Sequence, residues 1–154
     1  MTVQGVTCAK KEAILPATVI VVPIRAEDVD AIWHDVAPLV RLSQRRIERN
    51  AGMADIYDDL IAGRAMLWTI KSEDKLRAVV LTEIAQHPRR RVWRILHIGG
   101  SGMSEWLDQG IEAMKRAARI AGCEAIEADG RLGWAKIVPQ RGFREVSRLY
   151  EMEI

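Results

Sequence analysis

The sequence predicts an α/β (α+β) domain built on one mixed β-sheet with helices on both faces, in the order β-α-α-β-β-β-α-β-α-β. Three observations carry this. A run of three strand-like segments between 65 and 98 is punctuated by polar turns, as in a meander. A long apolar helical stripe follows, and a short strand-like segment follows that, which is the pattern of a βαβ crossover. Finally, 154 residues with 49% hydrophobic and 29% charged side chains suit one well-filled core.

Residues 1–16 are mixed and turn-prone and read as an N-terminal arm, with one domain over 17–154. Thr18 to Ile24 is β-branched and apolar, a buried strand. Glu27 and Asp28 suit a helix N-terminus, and Val29, Ile32, Trp33, Val36, Leu39 and Val40 then recur at helical spacing. Pro38 is expected to kink or end that helix. Arg41 to Asn50 is a charged stretch. Ile56, Tyr57, Leu60 and Ile61 share a face of a second helix over 53–62, with Gly63 placed to follow its C-cap.

Ala65 to Lys71, Leu76 to Ala85 and Val92 to Ile98 are the meander strands, and Gln86 to Arg91 the polar tip of the second hairpin. Gly99-Gly100-Ser101-Gly102 reads as a loop with Ser104 as helix N-cap. Trp106, Leu107, Gly110, Ile111, Met114, Ala117, Ala118 and Ala121 form one face of the clearest helix, ended by Gly122. Cys123 to Ala128 is a short strand, Leu132 to Val138 a short helix, and Phe143 to Ile154 a closing strand.

Composition narrows the function. Two cysteines, Cys8 and Cys123, cannot build a disulfide framework, and His34, His87 and His97 are too dispersed for a metal motif. A net charge of +2 leaves no global nucleic-acid footprint, no apolar run reaches the ~20 residues of a membrane span, and the N-terminus lacks a signal-peptide pattern. A cytoplasmic protein is expected. Arg89-Arg90-Arg91-Val92-Trp93-Arg94 is the sharpest charge feature and reads as a solvated hairpin tip rather than a nucleic-acid grip. Arg41, Arg45, Arg46 and Arg49 read as a solvated helix face. Trp33, Trp68, Trp106 and Trp134 sit at core-compatible positions, and a Trp at a partner interface is the other reading.

Several phrases together resemble the GNAT (Gcn5-related N-acetyltransferase) superfamily: Ile24-Arg25-Ala26-Glu27-Asp28, the segment Leu60 to Thr69, and Gly130 to Phe143 ending in Arg141-Gly142-Phe143. More narrowly, the Gly99-Gly100-Ser101-Gly102 phrase with Trp106, and Gly130-Arg131-Leu132-Gly133-Trp134, resemble small GNAT-like proteins of phages and prophages. The resemblance implies acetyl-CoA as cofactor, with its pyrophosphate held by Gly99, Gly100, Ser101, Gly102, Met103 and Ser104, since exposed N–H groups and a helix N-terminus attract phosphate. The loop departs from the family's Q/R-x-x-G-x-G/A pattern. The Tyr that protonates the departing thiolate in many GNATs corresponds to Val138, and an Asn often found nearby to Arg131. Glu83, His97 and Asp129 are the candidate catalytic acid–base residues. The resulting expectation is a phage- or prophage-type protein of the host cytoplasm or the virion, non-catalytic or weakly catalytic, binding a protein partner or a second copy. The alternative is an acetyl-CoA-dependent N-acyltransferase acting on an amine of a small molecule or protein.

Overall fold

Residues 17–47, 50–130 and 132–154 are described by a computed structural model; the expected arm at 1–16, Cys8 and Arg131 lie outside them. Strand β1 (Val19–Ile24) leads through a 3₁₀ turn at Ala26–Asp28 into helix α1 (Val29–Ile47), and helix α2 (Met53–Ile61) follows. Strands β2 (Met66–Ser72), β3 (Lys75–Gln86) and β4 (Arg91–Gly100) form the antiparallel meander. Helix α3 (Met103–Ile120) crosses to β5 (Ala125–Ala128), which lies parallel to β4. The five strands form one sheet whose spatial order is their sequence order.

Alternation along the strands divides the core in two. On one face α3 lays Trp106, Leu107, Ala113, Met114 and Ala118 over Trp68, Ile70, Ala78, Val80, Trp93 and Ile95. Trp68 and Trp93 meet edge to face with centroids 6.0 Å apart, and the Trp68 indole N–H donates to Thr82 Oγ1 at 3.0 Å. On the other face α1 and α2 bury Val29, Val36, Val40, Ile56 and Leu60 against Leu67, Val79 and Leu81. Trp33 packs on Tyr57 between the two helices at 5.1 Å.

Five expectations are corrected. Helix α1 runs through Pro38 to Ile47 instead of ending there. Pro38 and His34 are both exposed, so the His34 carbonyl that loses its helical partner meets water. Gly99 and Gly100 belong to β4, not to a loop, and the N-cap of α3 is Gly102, not Ser104. The helix expected at 132–138 is two 3₁₀ turns, Leu132–Lys136 and Pro139–Arg141. From Phe143 to Ile154 the chain forms no strand, and Val146, Leu149, Tyr150, Met152 and Ile154 are exposed. No helix among the described residues is long and apolar enough to cross a membrane.

Candidate functional site

β4 and β5 part company halfway along. Their pairing runs from Val92↔Ala125 to Ile95↔Ala128, whereas β4 continues against β3 as far as Gly100. The cause is a bulge. His97 pairs with Leu81 and Ile95 with Thr82, so Leu96 is an extra residue with no partner across the ladder. Bulges bend and twist a strand, and this one turns the end of β4 away from β5. The backbone edge of Leu96–Gly100 that faces away from β3 therefore has no strand beside it among the described residues.

Trp134, from the first 3₁₀ turn after β5, stands in the resulting wedge. Between it and Ile95, Leu96, His97, Ile98, Ala128 and Asp129 there remains a void of about 10 Å³, room for one water. Two of the three acid–base candidates thus meet there: His97, only 5% exposed, and Asp129, exposed at the end of β5. The third does not join them. Glu83 accepts a hydrogen bond from Arg94 at 3.0 Å, and its row continues to Glu127, which Arg90 holds at 2.6 Å and Arg94 approaches at 3.9 Å. This ladder of alternating charges crosses β3, β4 and β5 in register.

The open edge of β4 ends at the loop into α3. A β-carbon on Gly99 would lie 1.8 Å from the Leu39 carbonyl oxygen, so glycine here lets α1 press against the sheet. At Gly100, with φ +151°, a β-carbon would lie 2.3 Å from the Arg77 carbonyl oxygen, the same oxygen that accepts the Ser101 N–H at 3.0 Å. Trp106 donates its indole N–H to the Ser101 carbonyl at 2.9 Å and pins the turn. Gly102 is left-handed, and Met103 and Ser104 form the first turn of α3. Glu105, which the sequence reading passed over, lies with its carboxyl group 3.5–3.6 Å from where a Gly102 β-carbon would be, over the positive end of its own helix. Arg77 is a second addition. It is the extra residue of a bulge in β3, and its Nε is buried with no hydrogen-bond partner.

No protein-family model matches the chain, and no curated protein matches it in sequence. Its structure is another matter. It is similar to the aminoglycoside N-acetyltransferase AAC(6')-Iy in complex with CoA (14% identity, TM-score 0.64, 92% of this chain and 98% of that one). It is likewise similar to the ribosomal-protein-alanine N-acetyltransferase from Brucella melitensis biovar Abortus 2308 (13%, 0.66, 89% and 99%). A third is a predicted acetyltransferase with acetyl-CoA from Clostridium acetobutylicum (13%, 0.62, 88% and 96%). The fold is that of the GNAT acetyltransferases.

Within the GNAT fold the parts of this chain take on definite places. The split between β4 and β5 and the N-terminus of α3 lie at the two ends of one open strand edge. Val138, which the sequence resemblance set against a proton-donating Tyr, is half-buried between the two 3₁₀ turns. Arg141 ties this segment to α3: its Nε donates to Asp108 Oδ1 at 2.7 Å and its Nη1 to the Ile137 carbonyl at 2.9 Å. A larger open groove of about 460 Å³ lies away from the split, lined by Val19, Val21, Asp108, Gln109, Glu112 and Arg116. There the hydrogen bond and charge of Lys115 hold the Glu112 carboxyl below the usual carboxylate range.

Proposed function

We propose that this chain is an acyl-CoA-dependent N-acyltransferase acting on an amine of a small molecule or protein. The observation that carries the reading is the unpaired edge of Leu96–Gly100, which opens at the β4 bulge and ends at the N-terminus of an 18-residue helix. Such an edge binds extended ligands that bear amides, by adding them as a strand. The helix N-terminus beyond it attracts phosphate. A molecule with amides along an extended arm and phosphates at one end matches both, and coenzyme A is of that chemical kind.

The backbone frame fits the cofactor: the Arg77 carbonyl fixes the Ser101 N–H and so the turn that leads into α3. Two side chains oppose it: the Glu105 carboxylate at the phosphate end and Trp134 in the wedge. When bound, acyl-CoA supplies an activated acyl thioester. His97 and Asp129 stand where a proton leaving the acceptor amine is to be taken up, and Glu83, engaged by Arg94, is left a structural role. With Val138 in place of a proton donor, turnover is expected to be slow. General acid catalysis is worth ~10²–10⁴-fold, so its loss impairs the reaction without abolishing it. The phage and virion associations remain expectations drawn from the narrower resemblance alone.

The test is calorimetric titration with acetyl-CoA followed by acetyl transfer to a panel of amines. Saturable binding and multiple turnovers, with kcat reduced about 10²-fold in His97→Gln at unchanged cofactor affinity, support the reading. Absence of both binding and transfer in a folded protein would sink it.

A further inference from the structure

We propose that two copies of this chain pair through β1, edge to edge and antiparallel about a twofold axis at Val21, so that their sheets join into one. This is the edge of the sheet farthest from the β4–β5 split, and the proposal does not depend on the acyltransferase reading.

The backbone comes first. β1 is an outer strand, hydrogen-bonded on its β2 side alone among the described residues. Pro23 lies within it, opposite Trp68, and has no N–H to give to the ladder. It therefore stands at a position whose backbone groups point away from β2. The Thr18 carbonyl accepts the Glu73 N–H at 3.4 Å, which puts the even-numbered positions on the β2 side. Val19 and Val21 thus turn both N–H and C=O outward, and Pro23 its C=O. Such an edge is a template for another strand. With Val21 opposite its own copy, the two Val21 residues exchange N–H···O=C bonds, and each Val19 N–H reaches the Pro23 carbonyl of the second copy.

The side chains fix that register. Val19 and Val21 pack on the α3 side and Ile24 on the α1–α2 side, so Ile20 and Val22 belong to the α1–α2 face. They are 45% and 38% exposed. Centred on Val21, the pairing sets Ile20 of each copy beside Val22 of the other and closes all four into one apolar row. Centred one residue earlier, it would set Val22 beside Thr18.

Charge identifies the occupant. On the α3 side lies the groove of about 460 Å³ between β1 and α3. β1 and β4 run in opposite directions, and α3 returns between parallel β4 and β5, so α3 runs along the direction of β1. Its midpoint lies near Val21: a β-carbon on Gly110 would be 3.7 Å from Cδ1 of Ile70, the residue paired with Val21. Asp108, Glu112 and Arg116 are exposed, about one helical turn apart, and form an acid-to-base stripe along the groove. Lys115 neutralises Glu112 at 2.8 Å, whereas Arg116 has no ion pair among the described residues. Asp108 meets Arg141 through Oδ1 alone, and its side chain is 73% exposed, which leaves Oδ2 for a second cation. A twofold axis at Val21 lays this stripe against its own reverse, with Arg116 of each copy toward Asp108 of the other. The surface is its own complement in hydrogen bonds, apolar row and charge, as a self-pairing interface must be.

The experiment is light-scattering mass of the full chain over a concentration and salt series. A dimer is expected, weakened by salt, with its dissociation constant raised about tenfold in Arg116→Glu and returned toward the wild-type value when Asp108→Arg is added. In a Cys8→Ser, Cys123→Ser background, the Ile20→Cys, Val22→Cys double variant is then oxidised. A disulfide joining two chains is expected there and not in Ile20→Cys alone, whose two copies stand out of register. A wild-type monomer over the whole series would overturn the proposal. A dimer indifferent to Arg116→Glu and joined by no disulfide between chains would be held elsewhere, and would overturn it equally.

Discussion

Gly99 lies in β4 where the Leu39 carbonyl oxygen of α1 comes within 1.8 Å of the place a β-carbon would take. Backbone cannot yield as a side-chain tip can. Gly99→Ala is therefore expected to destabilise the fold by about 1–3 kcal/mol, the usual cost of overpacking, read as a lowered denaturation midpoint at unchanged m-value. The consequence for the loop is that glycine at 99 and 100 answers packing needs first, which the string Gly99-Gly100-Ser101-Gly102 could not announce. Tyr57 supplies a pH prediction. Its hydroxyl donates to Asp30 Oδ1 at 2.7 Å, and that bond holds the phenol above its ordinary value. A pKa raised by folding gives stability that is complete below the unfolded tyrosine value, about 10, and is lost as pH climbs through the folded one. The gap in melting temperature between wild type and Tyr57→Phe should therefore be constant at neutral pH and close in the alkaline range. A gap that stays open there would show that the phenol's bond to Asp30 is not its source.

At the scale of elements, the N-terminus of α3 and the 3₁₀ turn bearing Trp134 decide access to the split. Glu105 keeps a carboxylate over the helix end that a phosphate would seek. Glu105→Gln should tighten CoA binding several-fold, since it removes a carboxylate that competes with the phosphate for the helix N-terminus, where a negative charge is worth about 0.3–1 kcal/mol. Trp134→Ala should enlarge the 10 Å³ void and speed cofactor association in stopped-flow; slower association would mean that the ring builds the site instead of filling it. The elements themselves were largely legible. The α3 stripe, the β4–α3–β5 crossover, Gly63 and Gly122 after their helices, and the meander all follow from local periodicity and turn chemistry. The segment after β5 was less so. Leu132 and Ile137 suggest a helix, but Gly133, Pro139 and Gly142 leave only single 3₁₀ turns. Within the site, His97 and Asp129 were legible as residue types, while their meeting across the β4 bulge was not.

For the whole molecule, ligand binding and stability are coupled. Acetyl-CoA at 100 times its dissociation constant would add about 2.7 kcal/mol, a rise in Tm of roughly 5–10 °C for a domain of this size. No rise at saturating cofactor would contradict the acyltransferase reading independently of any turnover assay. By itself the sequence determined what depends on near neighbours along the chain: the strands and helices from β1 to β5, the stripe that α3 buries, and that one mixed sheet carries helices on both faces. Hydrophobic period and turn residues act within a few positions, so they can be read in order. Only the tertiary structure decided what depends on separate elements meeting. The bulge at Leu96 arises from register with β3, the closeness of α1 dictates Gly99, Arg94 claims Glu83, and Trp134 comes to rest beside His97. The exposed apolar side chains of Val146, Leu149, Tyr150, Met152 and Ile154 belong with these, because a strand exists only where an edge receives it.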